Sequence, residues 1–134
     1  MVVEKHDDTR TLESTLLAHA GYQPVEARSG RQALSLLADV TPCAVIVDFL
    51  MGDMDGAELV RAMRADERLR DVPALIVTAA PVQAVAARLA ALEVDASVVS
   101  KPLDPDRLLE VVHAARARTP PPCRARGGAA ATRT

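Results

Sequence analysis

The chain has 134 residues, of which 49% are hydrophobic and 25% charged, and its net charge at pH 7 is −2. This length suits one domain with a single core, and neither an apolar run of about 20 residues nor a secretion signal is present, so we expect no membrane span and no export. Tyr22 and Phe49 are the only aromatic residues, which argues against a nucleic-acid surface built on aromatic stacking.

Short apolar runs alternate with helical spacing in the first half of the chain. Residues 1–3 predict a very short strand, residues 23–27 a second, and residues 44–47 a third that is apolar throughout, as in a strand buried on both faces. Helices are expected after Asp8 and after Ser29, because these residue types favour helix N-caps. The inward residues recur at helical spacing and are Leu12, Leu16 and Leu17 in the first helix and Ala33, Leu34 and Leu37 in the second.

The same alternation continues in the second half. A third helix is expected after Asp55, a fourth strand at residues 74–77, and a helix that has Pro81 in its first turn. Residues 97–100 predict a fifth strand, and Asp104 caps the last helix. The inward residues of these three helices are Leu59, Val60 and Met63; Val82, Val85, Ala86 and Leu89; and Leu108, Val111, Val112 and Ala115. Five strands alternating with five helices predict an α/β fold, a doubly wound parallel sheet with helices on both faces.

The end of the chain has a different composition. All 18 acidic residues lie at or before Glu110, whereas five of the 16 basic residues follow it. The acidic body argues against direct nucleic-acid binding, and a tail rich in proline, arginine, glycine and alanine cannot bury a core. We therefore expect a domain over residues 1–118 and a disordered tail over residues 119–134, although the basic tail could also contact an acidic partner. Cys43 and Cys123 lack metal-type spacing and predict reduced thiols in a cytoplasmic protein.

Polar residues stand where the strands of this sheet would end. They are Glu4 and Lys5 after the first strand, Asp48 after the third, Thr78 after the fourth and Lys101 after the fifth. Because the carboxyl ends of parallel strands share one edge, these groups should converge beside the topological switch point. The two lysines of the chain, against 14 arginines, both fall at this edge, which suggests a role for a compact ammonium charge. Plainer explanations are a loop cap for Asp48, a strand-end hydroxyl for Thr78 and a solvated side chain for Lys101.

Three motifs at these strand ends match one known family. They are the run at residues 48–56 with its Asp-x-x-Met-x-x-Met-Asp-Gly pattern, the pair Thr78-Ala79, and the pair Lys101-Pro102. On these motifs the chain resembles the receiver domain of bacterial two-component response regulators, over about residues 1–116. The resemblance implies a flavodoxin-like sheet of strand order 2-1-3-4-5 and a free-standing cytoplasmic receiver in phosphorelay signalling.

The resemblance also implies a chemistry, in which a phosphoryl group passes from a kinase phosphohistidine to Asp48. Thr78 and Lys101 would contact phosphoryl oxygens, and Mg²⁺ would be held by Glu4, Asp48 and the backbone carbonyl of Leu50. A sensor histidine kinase or phosphotransfer protein is the implied upstream partner. A downstream protein would bind the face of helix 4, strand 5 and helix 5, and a homodimer is also compatible with the family. Beyond self-phosphorylation and autodephosphorylation on Asp48, the resemblance implies no enzyme activity.

The largest departure from the family's pattern is Lys5. The family usually has two adjacent acids at the end of the first strand, and here the pair is Glu4 and Lys5. An ammonium about 4 Å from the carboxylate of Asp48 is worth about 4 kcal/mol before desolvation, at an effective dielectric constant of about 20. Lys5 could therefore take the place of Mg²⁺. The alternative function is an atypical pseudo-receiver, a phosphorylation-independent protein-interaction module in which Lys5 pairs with Asp48.

Smaller departures concern the loop and the switch. Gly52 stands where the family usually has proline, Val98 replaces an aromatic residue that moves on activation, and His6 adds a titratable group at the mouth of the site. Two other classes fit less well. A flavodoxin-like cofactor binder would need a phosphate loop after the first strand, and an aspartate-nucleophile phosphatase would need a second acid at the position of Leu50.

Overall fold

The structure, a computed structural model, describes residues 1–102 and 104–117. In this part of the chain, five strands form one parallel sheet in the order β2-β1-β3-β4-β5, and helices connect them. The strands are β1 (Val2–Val3), β2 (Glu26–Ala27), β3 (Val45–Asp48), β4 (Ala74–Thr78) and β5 (Ser97–Ser100). The helices are α1 (Asp7–His19), α2 (Gly30–Leu37), α3 (Gly56–Arg64), α4 (Val82–Leu92) and α5 (Pro105–Ala117). The predicted fold class and strand order are confirmed, whereas the predicted tail at residues 119–134 lies outside the described residues.

Two element boundaries differ from the prediction near the N-terminus. The second strand covers two residues rather than five, because it lies at the sheet edge and pairs with β1 alone, which is itself two residues long. The prediction that Asp8 caps α1 is wrong. The helix begins at Asp7, with His6 in the N-cap position and no side-chain cap hydrogen bond. Asp7 and Asp8 instead lie in the first turn, where carboxylates interact favourably with the helix dipole.

The helices cover both faces of the sheet, and each face has its own buried cluster. Helices α2, α3 and α4 pack on one face, with Leu37, Leu59, Met63 and Val85 fully enclosed. Helices α1 and α5 pack on the other face through Leu17, Leu108 and Val112. Burial on both faces explains why β3 and β4 are apolar except at their last residues. In the described part of the chain, no helix is long and apolar enough to cross a membrane.

Some residues predicted to point inward are exposed. Leu12 in α1 and Val82 in α4 are 48% and 38% exposed, and Ala86 is exposed as well. The buried stripe of α4 is narrow and consists of Val85 and Leu89, one helical turn apart. The buried stripe of α1 is rotated away from Leu12 and includes charged residues, which brings a carboxyl group towards the carboxyl edge of the sheet.

The loop after β3 is held by three neighbouring elements. Asp53 accepts hydrogen bonds from the first amides of α2, and Asp55 caps α3 through a reciprocal capping box. Arg88 of α4 contacts the Asp55 carboxylate at 3.0 Å. Gly56 allows α3 to approach the backbone of Asp48, since a Cβ atom at Gly56 would lie 3.0 Å from the Asp48 carbonyl oxygen. These contacts fix the position of Asp48 relative to the helices.

A cationic side chain closes the opposite end of α3. Arg64 donates through Nη1 to the carbonyl oxygens of Leu69, Arg70 and Val72 at 3.4, 3.1 and 2.7 Å, and through Nη2 to that of Asp95 at 3.3 Å. We call this group the Arg64 cap. It ties the end of α3 to the loops that enter β4 and β5, because each carbonyl belongs to one of those connections.

Candidate functional site

The polar residues at the strand ends converge as the parallel topology predicts. Asp48 and Thr78 are the last residues of β3 and β4, and Lys101 follows β5. These three side chains line a pocket of about 170 Å³. We call it the Asp48 pocket, and its remaining lining residues are Lys5, His6, Leu50 and Ala79.

Two buried carboxylates share one ammonium group beside this pocket. Glu4 follows β1 and is 1% exposed, and Asp48 is 6% exposed. Lys101 Nζ lies 3.3 Å from Asp48 Oδ1 and 3.5 Å from Glu4 Oε1. The Lys101–Pro102 peptide bond is cis. Lys101 is therefore not a solvated residue before a turn, because its ammonium group contacts the acids at the carboxyl edge.

The two carboxyl groups respond differently to this environment. Burial and the negative charge of Glu4 raise the pKa of Asp48, although Lys101 opposes the shift. Burial also acts against ionisation of Glu4, but the hydrogen bond from the His6 amide and the charge of Lys101 bring the pKa of Glu4 below its ordinary value. Burial acts to lower the pKa of Lys101, yet the two carboxylates raise it. The site thus holds a charged lysine and an aspartate whose ionised form is poorly stabilised.

Thr78 is buried, and its hydroxyl group is oriented by the following turn. The Ala80 amide donates to Thr78 Oγ1 at 2.8 Å. This contact is the ordinary one of a strand-end hydroxyl. Because Thr78 also lines the Asp48 pocket, the contact fixes the hydroxyl at the pocket wall.

The predicted ion pair between Lys5 and Asp48 is not present. Lys5 lines the mouth of the pocket but is exposed, and among residues 1–102 and 104–117 it forms no ion pair. Lys101 contacts Asp48 instead. A solvated ammonium group loses less hydration energy at the rim than in the pocket, and Lys101 already compensates the buried carboxylate.

Two further residues lie at the site: His6, which the sequence placed at its mouth without a partner, and Glu13, which was not selected from the sequence. His6 Nδ1 lies 3.1 Å from Glu4 Oε2, and the His6 amide donates to the same oxygen. Glu13 on α1 is 2% exposed, and burial together with the charge of Glu4 raises the pKa of Glu13 to about 8. The available signal for Glu13 was its spacing, since it stands four residues before the buried Leu17 on the inward stripe of α1.

The donor groups at this edge suit a divalent cation. One ligand atom from each of Glu4, His6 and Asp48 lies within 4.8 Å of the other two. Carboxylate oxygens are the ligands that Mg²⁺ and Ca²⁺ prefer, and the predicted carbonyl ligand, Leu50, belongs to the wall of the same pocket. The residues present therefore fit a cation site, with Lys101 as the competing positive charge.

With this geometry in place, the sequence comparison decides the family. The family model of the response regulator receiver domain matches residues 1–113. The chain belongs to this family. Receiver domains are signalling modules of two-component systems, which confirms the resemblance drawn from the motifs at the strand ends.

Known receiver domains resemble the chain over most of its length. It is 29% identical over 112 residues to the polar-differentiation response regulator DivK of Brucella ovis, covering 84% of this chain and 90% of DivK. It is 34% identical over 116 residues to the regulatory protein AtoC of Escherichia coli, covering 86% of this chain but 24% of AtoC. Two solved receiver structures have TM-scores of 0.79, the receiver domain of a histidine kinase from Syntrophus aciditrophicus and the chemotaxis protein CheY4 of Vibrio cholerae. The first is 27% identical and covers 90% of this chain and 92% of its own, and the second is 26% identical and covers 85% and 94%.

Proposed function

We propose that this receiver domain accepts a phosphoryl group on Asp48 from a histidine kinase or phosphotransfer protein and signals to a downstream protein. The observation that carries the proposal is the buried Asp48 carboxylate at the end of β3, 3.3 Å from Lys101 Nζ in an open pocket walled by Thr78. A carboxylate that is held by a rigid strand and reached from solvent through a pocket is positioned as a nucleophile.

The chemistry requires positioning and charge compensation. A carboxylate oxygen of Asp48 attacks the phosphorus of a phosphohistidine, and the new P–O bond forms as the P–N bond breaks and imidazole leaves. Lys101 balances charge on the phosphoryl oxygens, and the Thr78 hydroxyl donates a hydrogen bond to one of them. A Mg²⁺ ion held by Glu4, Asp48 and the Leu50 carbonyl supplies further charge neutralisation when bound.

The competing function is a phosphorylation-independent interaction module. Its original basis was a Lys5–Asp48 ion pair, and the exposed position of Lys5 weakens that basis. The Lys101–Asp48 contact does not favour the interaction module in its place. An ammonium beside the acceptor can also balance charge on the phosphoryl oxygens during transfer.

A labelling experiment separates the two functions. The full chain is incubated with a small phosphodonor, with and without Mg²⁺, and intact-mass spectrometry follows the gain of one phosphoryl group. Wild type and the Asp8→Asn control, which changes an exposed carboxylate on α1, should be modified, and Asp48→Asn should not. Lys5→Asp should react faster if the rim charge disfavours the cation. No modification of wild type or Lys5→Asp would support the interaction module and sink the proposal.

The output surface is proposed to be the face of α4, β5 and α5. Val82 is 38% exposed there, and a pocket of about 290 Å³ lies among Val82, Val98 and Arg107. Val98 is smaller than the aromatic residue usual at its position, so a side-chain rotation there is not the expected signal.

We instead expect the Arg88–Asp55 contact to report phosphorylation, because it joins α4 to the loop after Asp48. Chemical-shift changes at Arg88 on addition of beryllofluoride, absent in Asp48→Asn, would test this link. Homodimerisation and a cytoplasmic location stay predictions.

A further inference from the structure

The Asp48 pocket carries the imidazole of His6 at its rim, and the carboxylate of Glu4 lies beside the pocket. One ligand atom from each of Glu4, His6 and Asp48 lies within 4.8 Å of the others, and His6 Nδ1 is 3.1 Å from Glu4 Oε2. We propose that these three side chains bind a divalent late transition-metal ion such as Zn²⁺ or Co²⁺, and that His6 makes the site prefer such ions to Mg²⁺. The inference deepens the proposed function and rests on it for its role in signalling.

The separation of the donor atoms suits a small ion. With metal–ligand bonds of about 2.1 Å, donor atoms lie about 3–4 Å apart around the metal. The distance between His6 Nδ1 and Glu4 Oε2 already falls in this range. The three ligand atoms lie within 4.8 Å of one another, so they need to move together only slightly to reach it. His6 is 61% exposed at its side chain, so its ring can adjust without disturbing the core.

Lys101 and His6 contact different oxygens of Glu4. Lys101 Nζ contacts Oε1 at 3.5 Å, whereas the His6 ring and amide contact Oε2 at 3.1 Å. An ion between His6 and Oε2 therefore does not compete with Lys101 for the same atom of Glu4. Lys101 can then remain in the pocket for phosphoryl contact while the ion is bound.

The charge balance of the pocket supports a bound cation. Among the described residues, the two buried carboxylates of Glu4 and Asp48 form ion pairs with the same ammonium, that of Lys101. Lys5 is solvated at the rim and contacts none of these groups among the described residues. A divalent ion would compensate the remaining negative charge.

The ligand chemistry decides which ion fits. Mg²⁺ prefers oxygen ligands and octahedral geometry, and the acid that would supply a further carboxylate is replaced by Lys5. The side chain that joins the two acids in the donor group is His6, and its imidazole nitrogen is a ligand that suits zinc and other late transition metals.

Isothermal titration calorimetry measures the binding of the metal ion and needs no phosphodonor. Its result therefore does not depend on whether Asp48 is phosphorylated, and the labelling experiment does not depend on whether zinc binds. Zn²⁺ and Mg²⁺ are titrated into the full chain in a Cys123→Ser background, which removes a thiol that could bind zinc. His6→Ala is compared with His19→Ala, a matched exposed histidine at the end of α1. Circular dichroism in chelator confirms that both variants are folded.

We expect wild type to bind one zinc ion. His6→Ala should lower the affinity for zinc at least tenfold, and His19→Ala should leave it unchanged. The affinity for Mg²⁺ should change less than twofold in either variant. Visible spectra of the Co²⁺ complex should lose their nitrogen-ligand signature in His6→Ala. His6→Asp should shift the preference towards Mg²⁺, since it restores an all-oxygen set. Equal zinc affinities for wild type and His6→Ala, or an unchanged preference in His6→Asp, would overturn the inference.

Discussion

The Asp48 pocket and the Arg64 cap both hold partly buried charges, but the charges are compensated to different extents. Arg64 donates hydrogen bonds to four backbone carbonyl oxygens in the loops that enter β4 and β5. At the other edge of the sheet, the carboxylates of Glu4 and Asp48 share the single ammonium of Lys101. Burial lowers the pKa of Arg64, but four carbonyl oxygens accept hydrogen bonds from its guanidinium group. Burial and the negative charge of Glu4 raise the pKa of Asp48, and Lys101 offsets only part of that shift.

This difference separates a structural charge from a reactive one. A cation that donates several hydrogen bonds joins elements and adds stability, and removing it takes one donor from each of the carbonyl oxygens it contacts. A carboxylate kept close to other negative groups costs stability but is ready to combine with a cation or a phosphoryl group. Four substitutions test the comparison, in order of expected effect.

The largest effect is expected at the Arg64 cap. Arg64→Ala should lower the free energy of unfolding by about 2–4 kcal/mol, because several carbonyl groups lose their donor together. Urea denaturation measures the change. Arg61→Ala, an exposed arginine on the same helix, is the control and should stay within about 0.5 kcal/mol of wild type. Equal effects of the two substitutions would mean that the cap is not a stabilising unit.

The second prediction concerns Glu13, whose pKa is raised to about 8 in the fold. The folded chain then keeps a proton that the unfolded chain releases near pH 4.5, so this contribution to stability is full at low pH and is lost as the pH rises towards about 8. Between about pH 5 and pH 8, it lowers the free energy of unfolding by at most about 1.4 kcal/mol per pH unit.

Glu13→Gln should flatten that part of the pH profile of stability. Urea denaturation in chelator at several pH values, with the exposed Glu67→Gln as control, measures the slope. A Glu13→Gln profile parallel to that of wild type would show that Glu13 is ionised in the folded chain at neutral pH.

The third prediction is that loss of the reactive carboxylate stabilises the fold. Because the pKa of Asp48 is raised, its ionised form is disfavoured in the folded state, so Asp48→Asn should increase the free energy of unfolding at pH 8 in chelator. The increase should be about 1 kcal/mol, a typical size for one substitution. Asp39→Asn, an exposed acid after α2, should have no effect. A destabilised Asp48→Asn protein would indicate that the pair with Lys101 outweighs burial and repulsion.

The smallest effect is expected where charges meet at the surface. Arg88 is 40% exposed at its side chain and contacts Asp55 at 3.0 Å and Glu58 at 3.5 Å. Arg88→Ala should cost about 0.5 kcal/mol, and the cost should shrink in high salt because solvent screens such pairs. Thermal unfolding at two salt concentrations measures this, and a cost that is independent of salt would point to lost packing.

Much of the fold was predictable because its signals are local. The apolar runs of β3 and β4 have the composition of strands buried on both faces, and each of these strands ends in a polar residue. Asp55 and Ser29 cap helices as their side chains predict. Asp8 does not cap α1, because His6 occupies the N-cap position. Local preference cannot choose between neighbouring positions in a polar segment.

The sequence by itself determined that Asp48, Thr78 and Lys101 would meet, because strand ends in a parallel sheet share one edge whatever the details of packing. Only the tertiary structure decided which ammonium compensates Asp48, how α1 is rotated, and that Glu13 and His6 lie beside Glu4. These outcomes depend on the balance between solvation and contact for single side chains. That balance is set by neighbours far apart in the chain, so no local pattern records it.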